Sequence, residues 1–172
     1  MRNAEFKRLS GRFFLAFLSL KHFISRKNCN FAQNNSHNNF QNTIIAMKTA
    51  LNTAAAPAAI GPYSQGIAAQ GKMIFLSGQL PIDPATGAFP EGGIKEQTRQ
   101  SLLNAQAILK SEGLDLNNVV KTTVLLSDIV NFGPMNEVYA EFFEQPFPAR
   151  SAFAVKDLPK GALVEIEMIA VE

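Results

Sequence analysis

Arg150 stands directly after Pro148-Ala149 and opens a strand-like run, residues 150–155, so its side chain leaves a stiffened backbone in a fixed direction. A guanidinium presents a planar fork of donors that fits a carboxylate or phosphate, each charge-assisted hydrogen bond being worth about 1.5–3 kcal/mol. It keeps its proton, so the chemistry it offers is anchoring an anion. On spacing alone, a surface or interface salt bridge is the more ordinary use of such a residue. Glu165 and Glu167 lie two apart in an alternating segment, residues 162–171, with Leu163, Ile169 and Val171 on their face and Val164, Ile166, Met168 and Ala170 on the other. A partly desolvated carboxylate there could hold a water or move a proton; a solvated or ion-paired strand position explains the pair at least as well. They make a poor glycosidase pair, because such carboxylates usually face each other across a cleft from different elements. Gly61-Pro62-Tyr63-Ser64-Gln65 and Ser77-Gly78-Gln79 offer a phenol, hydroxyls and backbone N–H donors, or simply turn chemistry. Neither matches a GxxxxGKS/T or GxGxxG phosphate cradle, and Lys72 and Lys121 read as solvated strand residues rather than Schiff-base amines.

The elements that must position these groups follow from periodicity. Residues 48–52 read as a short strand entering an Ala/Pro loop, 54–59. Residues 66–69 and 72–77 read as a hairpin about Gln70-Gly71, and 78–93, with three prolines and four glycines, as a loop built on the Asp83-Pro84-Ala85-Thr86-Gly87 turn. Ile94, Thr98, Ser101/Leu102, Ala105 and Ile108/Leu109 recur at helical spacing, with Gly113 as the stop. Residues 119–127 predict a β-rich strand. A second helix begins near Pro134 with Met135, Val138/Tyr139 and Phe142/Phe143 as its apolar stripe, and Pro146-Phe147-Pro148 ends it. Strands 150–155 and 162–171 close the chain. Two helices cover one face of such a sheet, and the other face is still apolar enough to call for a second copy of the chain.

Composition removes several chemistries. From Met47 onward there is no Cys, His or Trp, so Ser–His and Cys–His nucleophile systems and thiolate or imidazole metal sites are excluded there. Residues 1–46 carry seven Lys/Arg against Glu5 alone, whereas residues 47–172 carry nine basic and thirteen acidic residues, a net −4. The basic character of the whole chain therefore belongs to the leader, and the remainder lacks the footprint of a nucleic-acid binder. The longest apolar run, residues 13–20, is too short to span a bilayer, which needs about 18 residues or more. Two parts follow: a leader, 1–46, expected to be disordered or weakly helical, and a globular domain, 47–172. The Asn/Gln/Phe-rich tract 28–42 has no apolar period and favours a mis-assigned start, with Met47 as the initiator. A mitochondrial transit peptide ranks second and a secretory signal third. The expected compartment is cytoplasmic, or mitochondrial if the leader is a genuine transit peptide.

Ala58-Ala59-Ile60-Gly61-Pro62-Tyr63-Ser64-Gln65, Phe75-Leu76-Ser77-Gly78-Gln79-Leu80-Pro81, Val120-Lys121-Thr122-Thr123-Val124, Phe147-Pro148-Ala149-Arg150-Ser151, Leu158-Pro159-Lys160-Gly161 and the segment 164–171 together resemble the Rid family, the YjgF-like reactive-intermediate deaminases. The resemblance runs in order from about Met47 to the last residue. It implies an α+β, chorismate-mutase-like fold: a six-stranded mixed sheet with two helices on one face, and a homotrimer about a central barrel with active sites between subunits. It implies hydrolysis of reactive 2-imino acids and enamines, such as 2-iminobutanoate and 2-iminopropanoate, to 2-keto acids and ammonia, protecting pyridoxal-phosphate enzymes, with no cofactor or metal of its own. Arg150 would bind the substrate carboxylate and Glu165 would position the water. Tyr63, Ser77, Gly78 and Asn136 would line the pocket, and Ala152, where many relatives carry Cys, would contribute backbone contacts. The alternatives are a non-catalytic trimer binding small carboxylates or acting as a chaperone, and a ribonuclease or translation inhibitor; neither a nucleic-acid nor a membrane partner is expected. Mass spectrometry of the native N-terminus is expected to find Met47, and a chain starting at Met1 would overturn that reading.

Overall fold

The computed structural model describes residues 48–172, so the leader and the expected start at Met47 lie outside the described residues. Along the described chain run β1 (Thr49–Leu51), β2 (Gly66–Ala68), β3 (Met73–Gln79), α1 (Ile94–Ser111), β4 (Val119–Leu126), α2 (Phe132–Phe142), β5 (Ala149–Ala154) and β6 (Val164–Val171). Four strands form a sheet in the order β3-β6-β4-β5, antiparallel except for the β4–β5 pair, and β1 with β2 forms a separate antiparallel ribbon. The architecture is α+β with two helices and mixed pairing. Its strands are divided between a ribbon and a four-stranded sheet, where one six-stranded sheet was expected.

The expected hairpin about Gln70-Gly71 does not form. β2 pairs with β1, Thr49 opposite Ala68, while β3 takes the C-terminal strand, Met73 opposite Val171. A three-residue β2 offers a seven-residue strand a short ladder, whereas β6 runs beside nearly all of it. The chain end then occupies the turn: Glu172 N–H donates to the Lys72 carbonyl at 3.0 Å. β3 also runs further than expected, to Gln79, so Gly78 and Gln79 lie in the strand and not in the loop, with Ser77 and Gly78 at a bulge. Leu76 faces Met168 and Gln79 faces Ile166, leaving two residues of β3 against one of β6.

β6 lies between two strands, and its alternation decides the layers. Val164, Ile166, Met168 and Ala170 are buried against the helices. α1 packs Leu102, Ala105 and Leu109 into the same core, and α2 adds Met135, Val138 and Tyr139. α1 starts at Gly93, whose N–H donates to Glu96 Oε2 at 2.8 Å and holds that carboxyl below its usual range. It ends as expected at Gly113, which takes φ of 75° while Leu114 N–H reaches the Leu109 carbonyl at 3.0 Å. Across the two helices Lys95 pairs with Glu137 and Arg99 with Glu141. The opposite sheet face stays open. Phe75 is 70% exposed there, with Met73 and Phe153 also exposed, beside Lys121, Thr123, Glu167 and Ile169. Among the described residues no helix is long and apolar enough to cross a membrane.

Candidate functional site

The backbone just before β5 is tied down on its outer edge. Ser64 N–H donates to the Pro148 carbonyl at 3.0 Å, and the Ser64 hydroxyl donates to the Phe147 carbonyl at 2.6 Å. These bonds hold loop 61–65 over the start of the strand. Within it Gly61 takes φ of 118°, where a Cβ is strained, and Tyr63 N–H turns back to the Gly61 carbonyl at 2.9 Å. The turn brings the Tyr63 ring to 5.4 Å from the Arg150 guanidinium carbon. From α2, Phe132 and Tyr139 bring theirs to 5.7 and 4.6 Å.

Three aromatic faces therefore enclose one cation, each contact contributing about 0.5–2 kcal/mol according to how well it excludes water. Rings attract the charge and leave the N–H donors unused. Arg150 Nη1 is buried without a hydrogen-bond partner, and so is Asn136 Oδ1. The two side chains meet beside Gly61: a Cβ built there would lie 3.5 Å from Asn136 Nδ2 and 3.9 Å from Arg150 Nη2. Among the described residues the ion pairs join Lys72, Lys95 and Arg99 to glutamates, and none involves Arg150. Burial draws the guanidinium below its ordinary range, while the neighbouring Tyr139 and Tyr63 oppose that shift. It remains a cation at any ordinary pH. Tyr139 is neutral: burial pushes its phenol up to about 12, against the hydrogen bond it shares with Thr122 at 2.8 Å. The result is a positive fork with no counter-ion among the described residues.

Glu165 belongs to a different surface. In register it lies opposite Leu125, on the open face of the sheet, whereas Arg150 lies opposite the buried Thr122 on the helix face. Its side chain crosses the β3 bulge at Gly78, where a built Cβ would sit 2.7 Å from Glu165 Cδ and 2.9 Å from Cγ. Only glycine leaves room for the carboxylate there. Ser77 is exposed on the same face, in a shallow depression of about 260 Å³ shared with Phe75, Lys121, Thr123 and Glu167.

The seven residues singled out by sequence thus divide into two groups. Tyr63, Asn136 and Arg150 converge at the helix-side end of β5, with Ala152 two residues along the same strand face. Val155 N–H bonds to the Leu126 carbonyl on β4, so the alternation of a parallel ladder turns the Ala152 backbone N–H and C=O toward the outer edge of β5. Ser77, Gly78 and Glu165 sit together on the open face. One subunit does not bring the two groups into a single pocket. Phe132 and Tyr139 were not singled out: Tyr139 lies in a periodic apolar stripe, and Phe132 precedes the expected helix start. A larger cleft of about 570 Å³ opens between β1, loop 61–65 and Phe147, but of the seven it includes only Tyr63. Among the described residues no three His, Cys, Asp or Glu side chains gather as metal ligands.

The family model described as Endoribonuclease L-PSP matches residues 53–172. The 2-iminobutanoate/2-iminopropanoate deaminase of Bos taurus is 52% identical over 122 residues, covering 71% of this chain and 88% of its own length. Among solved structures, the YjgF gene product from E. coli is 46% identical with a TM-score of 0.56, covering 72% of this chain and 98% of that one. E. coli TdcF, solved with bound serine, is 42% identical with a TM-score of 0.56 over the same shares.

Gly78→Ala is expected to push the Glu165 carboxylate aside while costing less than about 1 kcal/mol of stability, because the obstructing atoms end a flexible side chain. Urea unfolding and a structure of the variant check both halves. An unmoved carboxylate, or a protein that no longer folds, would contradict this account of the bulge.

Proposed function

This chain belongs to the Endoribonuclease L-PSP family, the Rid or YjgF-like proteins, and on that premise we propose that it is a deaminase that hydrolyses 2-iminobutanoate, 2-iminopropanoate and related enamine acids to 2-keto acids and ammonia. The observation that carries the reading is the Arg150 fork. Its Nη1 is buried and unpartnered, enclosed by rings, and among the described residues no carboxylate pairs with it. A substrate carboxylate supplies the missing partner with the planar geometry the fork matches. The serine held by the related E. coli TdcF is a ligand of the same amino-acid size.

The chemistry asks little more. A 2-imino acid already has an electrophilic carbon, so neither cofactor nor covalent nucleophile is required. With the carboxylate on Arg150, Glu165 orients a water and takes its proton as the oxygen bonds to the imine carbon. That proton passes to nitrogen to give the carbinolamine. The remaining hydroxyl proton then moves to nitrogen as the C–N bond breaks, so that ammonia leaves and the C=O of a 2-keto acid forms. Tyr63 and Asn136 hold the substrate beside Arg150, the Ala152 backbone meets it from the strand edge, and Ser77 and Gly78 shape the wall that carries Glu165.

Arg150 and Glu165 lie on opposite sheet faces, so the complete site is assigned to the junction of two subunits. One gives the Arg150 group and its neighbour the Glu165 group. A homotrimer packed through the open sheet faces fits this arrangement and covers Phe75, Met73 and Phe153. The ribonuclease activity in the family's description is not adopted. Residues 47–172 have a net charge of −4 and contain no histidine, which suits neither RNA binding nor general acid–base cleavage of RNA.

The test is 2-keto acid formation from 2-iminobutanoate, generated in place by threonine dehydratase, against a competing semicarbazide trap. The protein is expected to divert imine from the trap, and Arg150→Ala to lower kcat/KM by about two to four orders of magnitude, the loss of two charge-assisted contacts. A folded protein that leaves trapping unchanged but still binds 2-oxobutanoate is a carboxylate-binding module and not a deaminase.

A further inference from the structure

Tyr139 is fully buried, yet it is tied at three points to the surroundings of Arg150. Its ring centroid is the nearest of the three to the guanidinium carbon, at 4.6 Å. Its hydroxyl shares a 2.8 Å hydrogen bond with Thr122, the residue paired with Arg150 across the β4–β5 ladder. Its ring also stacks on Phe143, with centroids 4.4 Å apart and planes 26° from parallel. The ring that supports the guanidinium is thus anchored to the strand position beside that same arginine and backed against tilting.

This arrangement solves a specific problem. A chain carboxylate would fix the guanidinium but compete with an incoming carboxylate for the same N–H donors. An aromatic face attracts the cation through its quadrupole and leaves those donors free. Among the described residues no hydrogen bond is made to the Arg150 fork, so its orientation rests on packing against Tyr139, Phe132 and Tyr63. We infer that Tyr139, braced by Thr122 and Phe143 and assisted by Phe132, is the positioning residue that sets the plane of Arg150 for carboxylate capture. This rests on reading Arg150 as the substrate anchor.

Three variants of the full chain test it: Tyr139→Phe, Tyr139→Leu and Phe132→Leu. Tyr139→Phe keeps the ring and is expected to hold KM for the imine, and Kd for 2-oxobutanoate, within about threefold of the unmodified protein. Tyr139→Leu removes the face and is expected to raise both by about tenfold or more while kcat changes by less than about threefold. Phe132→Leu shifts KM and Kd in the same direction by less, and it decides the matter if Tyr139→Leu does not fold. A purely structural role gives a different pattern, because partial unfolding removes active enzyme and lowers apparent kcat without moving KM.

The Arg150 side-chain Nε–H resonance provides a readout independent of turnover. It is expected to be sharp and slowly exchanging in the unmodified protein and in Tyr139→Phe, and broadened in the leucine variants. Folded leucine variants with unchanged KM, Kd and resonance overturn the inference. So does Tyr139→Phe failing as badly as Tyr139→Leu, since the hydroxyl and not the ring would then matter. If the unmodified protein neither turns over imine nor binds 2-oxobutanoate, the deaminase reading fails. The resonance alone then decides whether Tyr139 positions Arg150.

Discussion

Withdrawing a guanidinium from water costs several kcal/mol unless its surroundings offset the loss. Arg150 is half-buried, and Tyr63, Phe132 and Tyr139 surround it, with no carboxylate paired to it among the described residues. Much of the local structure serves that placement. Ser64 fastens loop 61–65 to the start of β5, Gly61 permits the turn that swings Tyr63 across, and the Thr122–Tyr139 bond fixes the ring beneath. Asn136 adds a buried carbonyl oxygen that is also unpartnered. Buried polar groups without partners are rare in folded proteins, and the two on Arg150 and Asn136 support the proposal that a ligand binds there.

A second constraint comes from the pleat. Side chains alternate across a strand, so Arg150 on β5 and Glu165 on β6 point to opposite faces of one sheet. The helix face is closed by α1 and α2, whereas the face bearing Glu165 carries the exposed Phe75 and Phe153. On the proposed reading, in which the reaction needs both groups, a neighbouring subunit accounts for the apolar open face and the divided site together. Assembly and catalysis would then be the same requirement. The Gly78 bulge matters for that reason: it lets the Glu165 carboxylate lie across β3 toward the surface a neighbour would approach.

The parts of the fold legible in the sequence are those set by local chemistry. The 3.6-residue recurrence from Ile94 to Leu109, the Gly113 stop and the two-residue alternation from Val164 to Ala170 all appear as expected, because one buried face decides each. Strand pairing was less legible. The turn residues Gln70-Gly71 suggest a hairpin, but a long ladder with the distant C-terminus outweighs a short local one. The identities of Arg150, Glu165, Tyr63 and Asn136 could be named from motif resemblance, yet nothing in their spacing tells which face each occupies. Tyr139 was visible only as one member of an apolar stripe, since periodicity says that a ring is buried and not what it is buried against.

Mixing two inactive proteins tests the shared site most directly. Arg150→Ala and Glu165→Gln variants would be denatured, combined in equal amounts and refolded together, and imine hydrolysis would be compared with each variant refolded alone. If every site takes Arg150 from one subunit and Glu165 from its neighbour, random assembly restores about one quarter of the sites, and activity returns to about that fraction of the unmodified protein. Activity no higher than that of the separate variants, in mixtures shown to contain hybrid oligomers, would contradict the account and return both residues to a single chain.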